Sequence, residues 1–413
     1  MTRPQDLLAQ PLTLRCGAVL PNRLAKSAMS EALGTIDNRV TPALVCLYER
    51  WARGGIGLCI TGNVMIDRRA LGEPGNVALE DERDAELLQA WARAGKVAGG
   101  QLWMQLNHPG KQAPKGLNAE TVAPSAVPFS ASLARFFDVP RELTDAEIRD
   151  IIARFGKSAQ LAEQAGFGGV QIHGAHGYLV SQFLSPKQNL RTDEWGGDAQ
   201  RRRHFVLEVY RAIRRATQPG FGVGIKLNSA DFQRGGFTEA ESLDVLRALS
   251  DEGIDLLEIS GGTYEAPAMA TGVRDSTRQR EAYFLEFADK ARAVTKVPLM
   301  VTGGFRSLHG MADALQAGSL DLVGLARPLA VEPDLPLRLL AGKDPQHAVP
   351  DKIATGIKAL DKAALMEVAW YARQLRRMGR GDEPEPDEPA LMAFLGTVLE
   401  SGWKTWQTRR LRA

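Results

Sequence analysis

Two imidazoles and a phenol stand within six residues in the stretch His173-Gly-Ala-His176-Gly-Tyr178. The chain has only six histidines in 413 residues, so a pair three apart is not expected from scatter. These groups donate, accept and move protons near neutral pH. They follow a short apolar run, Gly169-Val170-Gln171-Ile172, which reads as a buried parallel strand giving way to a loop. In a (β/α)8 barrel such a strand end opens onto the active site, so His173, His176 and Tyr178 are the candidate catalytic residues. A His-x-x-His pair could also hold a metal. No third ligand stands at a helpful spacing, however, and a strand end lacks the helical i, i+4 geometry, so no metal is expected.

A second set of residues outlines a ligand. Thr302-Gly303-Gly304 ends one apolar run, and Gly324-Leu-Ala326-Arg327-Pro328 ends the next. Barrels often seat a phosphate here, on backbone N–H groups that glycine leaves accessible, and Arg327 would add an always-charged partner. The alternative is glycines serving tight turns only. Lys226 closes the run Gly222-Val-Gly-Ile-Lys-Leu227, where a buried ammonium would need an anion or a ligand. Gln105, at the end of Gln101-Leu-Trp-Met-Gln105, offers an amide that donates and accepts, as the edge of a heterocycle requires. Together they describe an elongated ligand with phosphate at one end and a polar ring at the other, the shape of flavin mononucleotide (FMN).

The elements that must position these groups alternate along the chain. Residues 12–24 read as a hairpin, a plausible plug for the bottom of a barrel. Strands are expected at Leu24–Met29, Ile56–Thr61, Gln101–Gln105, from Gly168, at Gly222–Leu227, Ile254–Ile259, Val297–Thr302 and Leu320–Leu325. Helices fall between them. Thr41-Pro42 predicts an N-cap with proline at the first helical position, and Thr144-x-x-Glu147 and Thr238-x-x-Glu241 are capping boxes. Another helix is expected from about Asp198. The count predicts an α/β fold, a closed (β/α)8 TIM barrel with an N-terminal hairpin; no G-x-G-x-x-G follows the first strand to suggest a dinucleotide fold. The Pro-rich segment 107–140 has no periodicity and reads as a functional loop or lid.

The expected division is a barrel over 1–340 and a C-terminal helical extension over 341–413. Ala363–Met378 looks helical, 379–389 (GRGDEPEPDEP) is an acidic Pro-rich linker, and a last helix starts at Ala390. Its stripe of Leu391, Phe394, Leu395, Val398, Trp403 and Trp406 either packs on its own barrel or makes a homo-oligomer contact.

Composition bounds the partners. A net charge of +2 gives no reason to expect nucleic acid or an anionic membrane. Cys16, Cys46 and Cys59 form no C-x-x-C spacing, and no run has the length of a signal peptide or membrane span. A soluble, cytoplasmic protein is expected.

The order of motifs resembles the Old Yellow Enzyme family of FMN-dependent ene-reductases, also called NADH:flavin oxidoreductases. The pieces are Asn22-Arg23 with Ser27-Ala28-Met29-Ser30, Gln105-Leu-x-His108-x-Gly110, HGAHGYL followed by FLSPKQNLRTDEWGG, and the two glycine motifs, over roughly residues 8–340. The resemblance implies a hydride passing from NAD(P)H through FMN, in a ping-pong cycle, to the C=C bond of an α,β-unsaturated carbonyl substrate. His173 and His176 match the pair that binds the carbonyl oxygen, and Tyr178 matches the proton donor. Gln105 matches the residue on the flavin pyrimidine edge, and Lys226 falls where the family usually has arginine. Ala28, Met29 and Gly62 match positions lining the isoalloxazine, with Ser27 and Ser30 in the same segment; Gly303, Gly304, Ala326 and Arg327 match the phosphate end. Ser30 replaces a common threonine or cysteine, Ala28 a frequent proline, and Ala326 a frequent glycine. The cysteines and length of the iron–sulfur branch are not expected here. The alternatives are an FMN-dependent amine dehydrogenase or demethylase, a non-redox phosphate-binding lyase or isomerase, and a flavoprotein used for sensing.

Overall fold

The computed structural model describes residues 2–131, 133–261, 284–347, 353, 355, 365–393 and 395–396. Eight parallel strands close into a barrel: β1 (Leu24–Lys26), β2 (Leu58–Met65), β3 (Gln101–Asn107), β4 (Gly169–Gly174), β5 (Gly222–Asn228), β6 (Leu256–Ser260), β7 (Leu299–Thr302) and β8 (Leu322–Leu325). Each strand pairs with the next in sequence, and β8 closes on β1, with Gly324 opposite Ala25. The strands are buried end to end, which explains their continuous apolar character.

Helices alternate with the strands: α1 (Pro42–Arg53), α2 (Ala85–Ala94), α3 (Asp145–Gln164), α4 (His204–Ala216), α5 (Glu239–Glu252), α6 (Leu285–Arg292), α7 (Leu308–Gln316) and the short α8 (Arg327–Val331). Both capping boxes form as their spacing requires, at Thr144 with Glu147 and at Thr238 with Glu241. Thr41 differs. Pro42 opens α1, but the Thr41 hydroxyl donates to Leu33 O at 2.8 Å instead of capping the helix, so it ties the β1–α1 loop to the helix start. The helix expected from Asp198 is split by a turn at Arg203 into Ala199–Arg202 and α4, with the Asp198 side chain capping the first piece.

Strands Leu12–Thr13 and Val19–Leu20 pair as the expected hairpin. Its Leu14 and Leu20 pack with Ala25, Leu58, Ile60, Trp103, Leu256, Met300 and Leu322 inside the barrel, so the hairpin plugs the bottom. Trp103 fills the centre of this floor. A Cβ at Gly169 would lie 2.6 Å from its ring, one at Gly224 3.2 Å away, and one at Gly222 would collide with it outright. These glycines are glycines because the indole occupies their side-chain space.

The helix α9 (Leu365–Gly379) packs on α1, with Trp370, Leu375 and Met378 buried and Met378 O accepting from Cys46 Sγ at 3.4 Å. The acidic segment after it is pinned rather than loose. Glu385 N donates to Gln374 Oε1 at 2.7 Å, and Glu388 accepts from Gln374 Nε2 at 3.0 Å and from Arg373. Ala390–Ala393 is helical with Ala393 fully buried, whereas Leu391, Met392 and Leu395 are exposed. Phe394, Val398, Trp403 and Trp406 of the expected stripe lie outside the described residues. Among the described residues no helix is long and apolar enough to cross a membrane.

Gly222→Ala should lower stability by about 1–3 kcal/mol through overpacking against Trp103. Urea unfolding would show it, and Trp103→Leu in the same background should recover part of the loss because the two sites share one space. An unchanged midpoint for the single variant would contradict this account of the floor.

Candidate functional site

Directly above the apolar floor a layer of polar side chains crosses the barrel. Strand register sets its members opposite one another: Gln105 with Gln171, His173 with Lys226, and Lys226 with Glu258. The centre is Glu258, only 1% exposed. Its Oε1 accepts from Ser27 Oγ at 2.5 Å, Thr302 Oγ1 at 2.7 Å and Lys226 Nζ at 3.1 Å, and its Oε2 accepts from Gln171 Nε2 at 2.6 Å. A carboxyl group whose partners are all donors acts as a carboxylate. Lys226 Nζ also donates to Ser27 Oγ at 2.8 Å, leaving one N–H for a ligand.

Donor direction runs outward from Glu258. Gln171 gives its amide NH2 to the carboxylate, so its Oε1 accepts from Gln105 Nε2 at 2.8 Å. Gln105 thus keeps its carbonyl oxygen and one amide N–H outside this run of bonds. Its backbone N is held by Thr61 Oγ1 at 2.9 Å. Lys226 thus has the anion its burial demands. The sequence reading left that partner unidentified; Glu258 supplies it.

The catalytic candidates lie at the end of β4. The His173 and His176 ring centroids are 5.2 Å apart, and those of His173 and Tyr178 are 4.7 Å apart. His176 takes a left-handed backbone, φ 60°, a strained conformation for a side chain of this size. Asn228 and Ser260, at the adjacent ends of β5 and β6, hold it there. His176 N donates to Asn228 Oδ1 at 3.1 Å, and its Nε2 lies 2.8 Å from Ser260 Oγ. His173 Nδ1 accepts from Ala175 N at 3.4 Å, which assigns its ring proton to Nε2. Behind Tyr178, His108 Nδ1 accepts from Gly110 N at 3.1 Å and His108 O accepts from Leu179 N at 3.0 Å, so the segment after β3 braces the turn that carries the phenol.

Both imidazoles are held neutral. Burial pushes His176 down to about 3, helped by the Lys226 ammonium. Burial also takes His173 well below the ordinary value, with His176 and Lys226 adding to it. Neutral rings can donate a hydrogen bond without carrying charge into the pocket.

The segment after β1 puts Ser27 in the polar layer, while Ser30 Oγ donates to Asn63 Oδ1 at 3.2 Å and Ala28 and Met29 are partly buried. Gly62 has a packing reason of its own. A Cβ there would collide with Glu31 and Met29 O, and its N–H donates to Glu31 Oε1 at 2.8 Å. On the far side, Gly303 and Gly304 both take positive φ, 116° and 93°. Thr302 lies opposite Gly324, so this turn and Ala326-Arg327 at the head of α8 leave the barrel side by side. A Cβ at Gly324 would collide with Thr302 Oγ1, the hydroxyl that reaches Glu258.

These positions fit FMN on the donor set itself. Lys226 and Gln105 would offer polar partners to a flavin ring, and the adjacent Gly303-Gly304 and Ala326-Arg327 segments would offer backbone N–H groups and a cation to a phosphate. Sequence reasoning missed Gln171, Asn228, Glu258, Ser260 and Thr302 as site residues. The available signal was a polar residue within or at the C-terminal end of several apolar strands, such as Gln171, Asn228, Glu258, Ser260 and Thr302. Residues 262–283, between β6 and α6, lie outside the described residues.

Because the folded protein keeps these imidazoles neutral while the unfolded chain protonates them near 6.5, their contribution to stability is complete above pH 6.5. It falls as the pH drops below 6.5, for His176 down to about 3. His176 should therefore remain neutral at pH 5 in an NMR titration of labelled histidine, and Lys226→Met should move its titration upward. Protonation of His176 at pH 6 would refute the assignment.

Residues 7–346 match the model of the NADH:flavin oxidoreductase / NADH oxidase family. An NADH-dependent flavin oxidoreductase of Hypocrea jecorina is 37% identical over 390 residues, covering 88% of this chain and 94% of that protein. One from Neonectria is 40% identical over 354 residues, covering 79% of this chain; the match spans about half, 46%, of the Neonectria protein. Among solved structures, the Old Yellow Enzyme homologue from Zymomonas mobilis aligns with a TM-score of 0.70 at 26% identity, covering 81% of this chain and 92% of that one. On a match that takes in most of its length and the whole barrel, this chain belongs to the NADH:flavin oxidoreductase / NADH oxidase family, the FMN barrels of the Old Yellow Enzyme type.

Proposed function

We propose that this protein is an FMN-dependent ene-reductase that uses NAD(P)H to reduce the C=C bond of α,β-unsaturated carbonyl compounds. The observation that carries the reading is the neutral His173–His176 pair beside Tyr178, with His176 fixed by Asn228 and Ser260. His173 Nε2–H is a donor by its tautomer. A Ser260 hydroxyl donating to His176 Nε2 would make Nδ1–H the second donor.

Two neutral donors converging on a carbonyl oxygen favour the charge that grows there when the β-carbon is attacked. Removing one such donor typically costs about 10²–10³ in rate. Neutrality matters, because an imidazolium would bind the ground-state carbonyl and any anion alike. FMN, when bound and reduced by NAD(P)H, supplies the hydride. Tyr178, whose ring centroid lies 4.7 Å from that of His173, would deliver a proton to the α-carbon. Lys226 and Gln105 would hold the polar ring of the cofactor, Gly303, Gly304, Ala326 and Arg327 its phosphate, and Ser27, Ala28, Met29, Ser30 and Gly62 would line it. The segment 107–140 would shape the entrance and choose the substrate.

The rival on the same barrel is amine oxidation. An amine substrate has no carbonyl oxygen for two imidazole donors to hold, which is why the reductase reading is preferred. Family membership argues against the non-redox lyase or isomerase.

The test is an anaerobic spectrum. Flavin absorbance should bleach with NAD(P)H and return with cyclohexenone; flavin that bleaches and returns with no enone would overturn the reductase reading. Tyr178→Phe should slow reoxidation by the enone by about 10²–10⁴-fold while leaving reduction by NAD(P)H within about twofold. Equal loss in both half-reactions would remove Tyr178 from the proton-donor role.

A further inference from the structure

Lys226 does not face the cofactor site as a free positive charge. It is paired with Glu258, and both side chains are almost wholly buried, 4% and 0% exposed, with the carboxylate 3.1 Å from the ammonium. Three further donors, from Ser27, Thr302 and Gln171, converge on the same carboxylate. They come from the loop after β1 and from β7 and β4, so five separate segments of the barrel wall, with β5 and β6, meet at one group. The wall builds a site for an anion and fills that site with its own residue.

A reduced flavin carries negative charge on its pyrimidine side, and a nearby cation favours it. An anion a few ångströms behind that cation opposes the effect, because at an effective dielectric of about 20 a unit charge still acts over such distances with energies of a few kcal/mol. We propose that Glu258 is a positioning residue that fixes Lys226 and whose own charge opposes that of the lysine at the flavin. Its carboxylate fixes the ammonium and offsets its charge, and so holds the flavin less reducible than the lysine alone would make it. This deepens the FMN reading above and rests on it. The same carboxylate, through Gln171, sets which face of the Gln105 amide the ligand meets, so one residue governs both polar contacts to the ring.

The experiment is a charge cycle on FMN-loaded protein, read as the two-electron equilibrium against a reference dye, without any enone. Glu258→Gln should shift the equilibrium about tenfold toward reduced flavin, which for a two-electron couple is about 30 mV upward. Lys226→Met should shift it about tenfold the other way, and the double variant should return to within about threefold of the unmodified protein. Thr302→Val, which removes a hydrogen bond to Glu258 but no charge, should move it by less than about twofold. No shift in Glu258→Gln, or a shift toward oxidised flavin, overturns the proposal. If Glu258→Gln does not fold, the comparison of Lys226→Met with the double variant measures the same effect; equal values there overturn it as well. A protein that binds no FMN in any form would instead sink the flavin reading on which this rests.

Discussion

A carboxylate and an ammonium share the inside of this barrel with almost no water, and much else in the molecule follows from that. Taking each ion out of water costs several kcal/mol, and the attraction between them offsets the cost only if the remaining polar atoms are satisfied. Glu258 meets the condition with four donors, and each donor imposes a demand in turn. Thr302 reaches it across space that a side chain at position 324 would fill. Ser27 must leave β1 at the right height, and the amide of Gln171 must point one way only. Register between parallel strands is set by hydrophobic pattern and closure. Here it also decides whether a buried charge is paired or stranded.

The floor beneath works in the opposite currency. Trp103, the three glycines beside it and the hairpin leucines make a dry, close-packed base, so the polar layer has low-dielectric material below it. That setting strengthens the field of every charge in the layer. It also explains the two neutral histidines, which sit near a fixed positive charge and away from solvent.

Much of this was legible in the sequence. Alternating apolar runs and helical faces specify the barrel, two capping boxes mark α3 and α5, and the spacing of His173, His176 and Tyr178 marks the mouth. What was not legible depends on pairing across strands. Glu258 in Leu-Leu-Glu-Ile-Ser reads as one charge in an apolar run until β5 is laid beside it, and Asn228 and Ser260 acquire meaning only as neighbours at two strand ends. Thr41 is the N-cap as its sequence indicates, but the contact its hydroxyl makes, donating to Leu33 O, lies outside the local pattern. The acidic segment read as a linker because Gln374 and Arg373, which hold it, belong to another element.

The hairpin plug has a kinetic side. With Leu14 and Leu20 packed against Trp103, the described residues close the bottom of the barrel and leave the strand C-terminal ends as the open side. In the proposed reaction a nicotinamide donor and an electrophilic acceptor would use that same side and take turns in it. Each is a dead-end occupant for the other's half of the cycle. High concentrations of either would slow turnover, and the leaving rate of a spent nucleotide becomes as important to throughput as any bond made or broken inside.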